Sequence, residues 1–366
     1  MLKIKNENFV KNLSKVGFGT GRNFGDLSQA SKKSRMHLIH QVIETGVNWI
    51  DTASAYCDGN AERLIGEAFA EKKNNVSIFT KFSAKDASPQ QLRTSIDKSL
   101  KRLKREHIEI YQFHWPNTQV PLERTCECLL SIIEQGKISA VGISNFSETQ
   151  TRLVNEFLGE HLISSQTELN LFNWRAQLEE QQNPSRKNFI TLGYSPFLGL
   201  RFLNDDDIRV CQLKALAEKH QCSMHSIVMK FLLRETNQFS ITGSQNIDHI
   251  KSNLESCCVP LSSDEITSIE ELFPGSMIEI EIDKIKLNST REYPVYETLH
   301  DATVNNLDHY PGPATLASDL KNGTAFKPVL LRRRGSEFIL IGGMVRFWAW
   351  KIANSARITI PSIVYG

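Results

Sequence analysis

Four residues of this sequence, Asp51, Tyr56, Lys81 and His114, carry side chains suited to delivering a proton to a carbonyl oxygen. A free phenol has a pKa of about 10 and is a poor acid at neutral pH, but a lysine ammonium beside it favours the phenolate and is expected to lower that value. Tyr56 would then give the proton. Asp51 would pair with Lys81 and keep it charged and aimed, and His114 would donate a hydrogen bond to an oxygen gaining negative charge. Taken singly, each residue has a plainer reading. An aspartate after a strand caps a helix, a lone tyrosine packs with its hydroxyl in water, a lone lysine is solvated, and a histidine beside Trp115 is a hydrogen-bonded core residue.

The elements around the four favour a shared site. Apolar runs of strand length lead into three of them: Val47 to Ile50 before Asp51, Val76 to Thr80 before Lys81, and Ile108 to Phe113 before His114. The runs hardly alternate with polar residues, as buried parallel strands do. Helical segments, Ala61 to Ala70 and Gln90 to Lys104, lie between them. Strand starts near residues 17, 47, 76, 108, 138, 161, 189 and 239 give the repeat of a (β/α)8 TIM barrel, whose strand C-terminal ends open onto the active site. Gly17, Gly19 and Gly21 read as a tight turn at a strand end. Near Phe273-Pro274-Gly275 the pattern changes, and the chain divides into 1–274 and a smaller α/β region, 275–366. In that region Met277 to Leu287 alternates like one strand. Helix, strand, strand, helix and strand then follow from Ala314 to Tyr365.

Hydrophobic residues make up 40% and charged residues 23% of the 366, and the net charge is +2, so no electrostatic case exists for nucleic acid or a membrane surface. The seven cysteines are scattered without a C-x-x-C, which argues against a disulfide framework or a zinc ribbon; no metal site is expected. The N-terminus is too charged for a signal peptide and no apolar run is long enough to span a bilayer, so a cytoplasmic location is expected.

Residues 15 to 273 resemble an aldo-keto reductase. The resemblance rests on Asp51-Thr52-Ala53-x-x-Tyr56, on Asn60-Ala61-Glu62-x-x-Ile65-Gly66, on Thr80-Lys81 and on His114-Trp115-Pro116. It continues in Gly136-Lys137-Ile138-x-x-Val141-Gly142-Ile143-Ser144-Asn145 and in Gly193-Tyr194-Ser195-Pro196. It implies reduction of an aldehyde or ketone by NAD(P)H, with Tyr56 as acid and Asp51, Lys81 and His114 in support. A small-molecule carbonyl, a sugar or a biosynthetic intermediate, would be the substrate. It also implies that Ser144, Asn145 and Gln166 hold the nicotinamide carboxamide and that Tyr194 stacks on the ring. Ser195 and Leu200 would lie near the pyrophosphate, with Ser244, His249 and Asn253 at the adenosine end. Members selective for NADP often carry a lysine where Gly243 stands and an arginine where His249 stands. NADP is still favoured, with NAD as the other choice. A short link from Pro196 to Asp206 replaces a longer loop over the cofactor, and Arg22, Phe24, Trp115 and Trp174 are the candidates for finishing the substrate cleft.

The C-terminal region resembles the N-terminal domain of ParB and its sulfiredoxin-like relatives, through Leu316 to Gly323, Lys327 to Arg332 and Phe338 to Phe347. That resemblance implies a nucleotide phosphate at Gly342, Gly343 and Arg346, a turn from strand into helix; Met344 stands where the sulfiredoxin reaction needs a cysteine. A docking domain in which the glycines merely turn the chain is the plainer alternative. A nicotinamide-sensing regulatory protein is the alternative to an enzyme, but a pure sensor has no use for a proton donor.

Overall fold

The computed structural model describes residues 6–21, 24–25, 28–70, 76–181, 189–275, 277–287, 296, 298–304, 312–321, 328–353 and 359–365. Eight parallel strands close a barrel in chain order: β1 (Val16–Gly19), β2 (Trp49–Asp51), β3 (Ser77–Phe82), β4 (Ile108–Phe113), β5 (Ile138–Ser144), β6 (Leu162–Glu168), β7 (Ile190–Tyr194) and β8 (Gln238–Thr242), with β8 returning to β1. These are the eight strands that the apolar runs predict. Helices cover the outside, among them Gln29–Glu44, Asn60–Ala68, Pro89–Leu103, Leu122–Glu134 and Glu148–Leu158. The helix Ser263–Leu272 starts with a reciprocal cap: the backbone N–H of Ser262 and that of Glu265 each donate to the other's side chain.

Side chains fill the barrel. Trp49, Phe79, Ile110, Ile163, Leu192 and Phe239 form one buried cluster, with Trp49 and Phe79 stacked 4.9 Å apart. The helix Asn6–Lys11, which the sequence reading did not expect, packs Phe9 on Phe79 and closes this filling from the side where the chain enters β1. The β1 glycines prove to be packing residues, not turn residues. Gly17 and Gly19 lie inside the strand, and a Cβ at Gly17 would stand 2.3 Å from the Trp49 ring.

Beyond residue 275 the chain builds a second sheet from β9 (Ile278–Glu281), β10 (Ile285–Leu287), β11 (Val329–Arg334), β12 (Glu337–Gly342) and β13 (Thr359–Tyr365), in the order β10-β12-β11-β13-β9. Helices Pro313–Lys321 and Met344–Ala353 accompany it. The single strand expected over Met277 to Leu287 is two strands. A 3-10 turn at Ile282–Lys284 breaks it, and the halves pair at opposite edges, β9 antiparallel to β13 and β10 parallel to β12. The alternation is still real, because Ile280, Ile282 and Ile285 all enter the same buried cluster. Arg332 to Arg334 run to an exposed hairpin tip at Gly335. The barrel and this sheet also share apolar packing: Ile363 and Tyr365 of β13 lie in one buried cluster with Phe172, Trp174, Phe231 and Phe273.

Gly17→Ala should lower unfolding stability by on the order of 1–3 kcal/mol, because the added methyl meets a fully buried indole. Adding Trp49→Phe should return part of the loss in urea unfolding. Strictly additive losses would mean that the two residues do not contend for one space.

Candidate active site

Asp51 ends β2 and Lys81 lies near the end of β3, so their side chains meet where those strands open. Lys81 is fully buried, and all three of its ammonium protons have acceptors: Asp51 Oδ1 at 2.6 Å, Thr52 O at 2.8 Å and Tyr56 Oη at 3.4 Å. The other Asp51 oxygen accepts from Gln166 Nε2 at 2.7 Å and Gln112 Nε2 at 3.3 Å. Burial in such a place demands this degree of pairing, since an unmatched charge there would cost several kcal/mol, about 3–5.

Tyr56 stands above the pair because the chain after β2 turns sharply. Cys57 and Asp58 follow at φ 48° and 55°, in the left-handed region that residues with a Cβ seldom occupy. Glu62, in the next helix, pins this turn down. Its carboxylate accepts from Thr80 Oγ1, next to Lys81, and from Arg102 Nε, both at 2.6 Å. His114 follows β4 and sits edge-on to the Tyr56 ring at 5.6 Å. The four residues that the sequence suggested are therefore brought together.

Their protonation differs from the first expectation in one respect. Burial raises the Tyr56 pKa above its ordinary value, and the opposing pull of Lys81 does not reverse this. The phenol thus keeps its proton. For Lys81 burial acts downward, but Asp51 and Tyr56 together carry its pKa above the ordinary value, so the ammonium persists. The His114 pKa is pulled down to about 3, by burial first and by the Lys81 charge second, which leaves a neutral imidazole.

A cavity of about 1000 Å3 opens from these residues across the barrel mouth. Near the four it is lined by Trp115, Ser144, Asn145, Gln166, Tyr194 and Ser195, and at its far end by Ser244, His249 and Asn253. Asn145 and Ser195 hold left-handed backbone, φ 64° and 57°. Tyr194 donates its hydroxyl proton to Asn145 Oδ1 at 3.0 Å, and Asn145 Nδ2 donates to His114 O at 3.2 Å. The sequence-suggested residues do not all reach the cavity. Leu200 packs among core side chains, and Leu198 and Arg201 line the cavity in its place. Phe24 is buried against Phe18, and Trp174 is buried with its indole N–H on Phe273 O. Arg22 lies outside the described residues. Gly342 ends β12, Gly343 has φ 81°, and Arg346 donates to Pro328 O at 2.7 Å, away from the cavity lining.

Gln112 and Arg201 escaped the sequence reading. Gln112 did carry a signal: it is polar, two residues before His114, and so on the same inward face of β4. Gly243 has a physical reason for lacking a side chain, because a Cβ there would stand 2.9 Å from Gly19 O. The cavity is lined by polar and apolar side chains together. Its wall includes the Thr242 hydroxyl, buried and without a hydrogen-bond partner among the described residues, the state of a group that a bound molecule would satisfy.

A protonated phenol, a buried lysine–aspartate pair and a neutral imidazole at the mouth of a parallel barrel define a carbonyl-reducing barrel oxidoreductase. The chain belongs to the aldo/keto reductase family, whose model matches residues 15–273, and it is an NAD(P)-dependent oxidoreductase acting on aldehydes or ketones. It is 26% identical over 283 residues to methylglyoxal reductase YeaE of Escherichia coli K12, an alignment covering 75% of this chain and 95% of that one. It is 32% identical over 186 residues to aldo-keto reductase YhdN of Bacillus subtilis 168, covering 48% of this chain and 55% of that one. Among solved structures, the thermostable aldo-keto reductase Tm1743, in complex with the inhibitor epalrestat, superposes with a TM-score of 0.65 at 25% identity, over 70% of this chain and 94% of that one. An aldo-keto reductase from Klebsiella pneumoniae in complex with NADPH gives 0.67 at 22%, over 72% and 92%, and shows the shared fold. The family match ends before the second sheet.

Carbonyl reduction should be insensitive to pH from about pH 5 to about pH 9, because neither His114 nor Tyr56 titrates there, and should fall above about pH 10 as Tyr56 loses its proton. A kcat profile measures this. An inflection between pH 6 and 8, on the order of the free imidazole value, would contradict the neutral His114.

Proposed function

We propose that the protein reduces a small aldehyde or sugar-derived carbonyl with NADPH, with Tyr56 as the general acid. The observation that carries this is the 3.4 Å contact between the Lys81 ammonium and the Tyr56 hydroxyl, inside a network that leaves the ammonium charged. The bound nicotinamide cofactor supplies the hydride. Tyr56 Oη gives its proton to the substrate oxygen, and Lys81 stabilises the phenolate left behind. Asp51 holds Lys81 in place and is itself held by Gln166 and Gln112. The neutral His114 donates its N–H toward the same oxygen. Trp115, 41% exposed on the cavity rim, is the side chain for an incoming carbonyl compound to meet.

For the cofactor, Tyr194 supplies the face for the nicotinamide ring, and Asn145 and Ser144 the polar groups for its carboxamide. Gln166, bonded to Asp51, ties this seat to the proton donor. Arg201 offers positive charge to phosphates and His249 a ring N–H, and Ser244 and Asn253 lie at the adenosine end. The relatives' names, a methylglyoxal reductase and a 6-dehydroglucose reductase of Novosphingobium aromaticivorans, favour a small oxygenated substrate. The seven cysteines are free thiols, and no described helix is long and apolar enough to cross a membrane, which supports a cytoplasmic location.

The division into 1–274 and 275–366 is part of the same reading. The ParB/sulfiredoxin-like character of the second part rests on its glycine turn from β12 into a helix. Arg346 donates to Pro328 O and feels the charges of Glu168 and Tyr194, so we assign its charge to the barrel and not to a nucleotide phosphate.

Tyr56→Phe should abolish reduction of a carbonyl panel while NADPH still quenches tryptophan fluorescence with unchanged affinity. Retained turnover would remove Tyr56 from the acid role. Titration of the unaltered protein with NADPH and with NADH should show the tighter binding for NADPH.

A further inference from the structure

Tyr365, the last residue of β13, reaches out of the second sheet into the barrel. Its hydroxyl donates to Glu168 Oε1 at 2.6 Å, and Asn170 Nδ2 donates both to that carboxylate oxygen, at 3.0 Å, and to the Tyr365 hydroxyl, at 3.3 Å. Its ring lies 4.9 Å from Phe172 and 5.9 Å from Phe202. The short link after Pro196 is shaped around it. A Cβ at Gly199 would stand 2.1 Å from the Phe172 ring and 2.9 Å from the Tyr365 ring, and Arg332 of β11 lies over Phe202 at 5.4 Å.

Glu168 is not a remote anchor. It ends β6, two residues past Gln166, and is in register with Tyr194 of β7, while Leu169 N donates to Tyr194 O at 3.1 Å. Tyr194 in turn bonds Asn145. Arg346 stands close enough for its charge, that of Glu168 and the Tyr194 phenol to act on one another. Asp319 of the helix Pro313–Lys321 lies near Thr118, in the loop that follows His114. The second sheet thus touches the barrel beside β6, whose neighbour is β7, the sector that holds Gln166 and Tyr194.

We propose that the C-terminal unit is a built-in clamp on the nicotinamide seat, in which Tyr365 is a positioning residue that fixes Tyr194 and Asn145 through Glu168. The proposal rests on the reading of Tyr194 as the cofactor's stacking partner. A clamp of this kind acts on the ring end of the cofactor and leaves the adenosine end alone.

The test compares two ligands of the full-length protein, NADPH and 2′-phospho-ADP-ribose, which lacks only the nicotinamide. Tyr365→Phe keeps the ring and its packing and removes both hydrogen bonds of the hydroxyl, so NADPH should bind about fivefold more weakly while the ring-less analogue binds as before. Glu168→Met, which removes the acceptor, should behave likewise, and the double variant should show no further loss. Equal weakening of both ligands, or additive losses in the double variant, would make Tyr365 a structural residue only, and no change for either ligand would overturn the clamp. If the unaltered protein binds neither ligand, the cofactor reading itself falls, and this proposal with it.

Discussion

The buried ion pair between Lys81 and Asp51 is the contact on which the site depends. An ammonium enclosed inside a barrel is stable only if its protons are accepted and its charge is matched. Asp51, Thr52 O and Tyr56 do this for Lys81, and Gln166 and Gln112 do the equivalent for the far oxygen of Asp51. Because the donors and acceptors come from β2, β3, β4 and β6, the pair also fixes the relative register of half the barrel mouth. The same pair gives the Tyr56 hydroxyl a neighbour that favours its anion only when that anion forms, since at rest burial keeps the phenol protonated.

Much of this was legible in the sequence, for a reason of geometry. Asp51, Lys81 and His114 each follow an apolar run, and in a parallel barrel such runs all end at one rim, so residues far apart in sequence share a site. Where no such rule operated, the reading failed. Phe24 and Trp174 have the right type for a cleft wall, but residue type says nothing of direction, and both point into the core. Leu200 and Arg201 share a 3-10 turn, where one residue of rotation decides which side chain meets the cavity. The rise of the Tyr56 pKa could not be read at all. The sequence displays the lysine, whereas the depth of burial belongs to the assembled barrel.

The second sheet shows another limit of sequence pattern. The isoleucine alternation from Met277 to Leu287 was real, yet a strand signal does not disclose a break that sends its halves to opposite edges of a sheet. Nor does it disclose that Tyr365, in a run of strand type, would find its hydrogen-bond acceptor nearly two hundred residues earlier. Such pairings follow from docking one packed layer on another, and only the apolar face that both sides bury hints at them.

The apolar cluster that joins Phe172, Phe202 and Phe273 to Tyr365 has a consequence for how the chain comes into being. During synthesis the barrel strands leave the ribosome well before β13 does. A barrel that closes on its own at that stage carries a bare aromatic ledge beside its own active site, and bare ledges of this kind are where nascent chains stick to one another. The second sheet, made last, is what covers that surface.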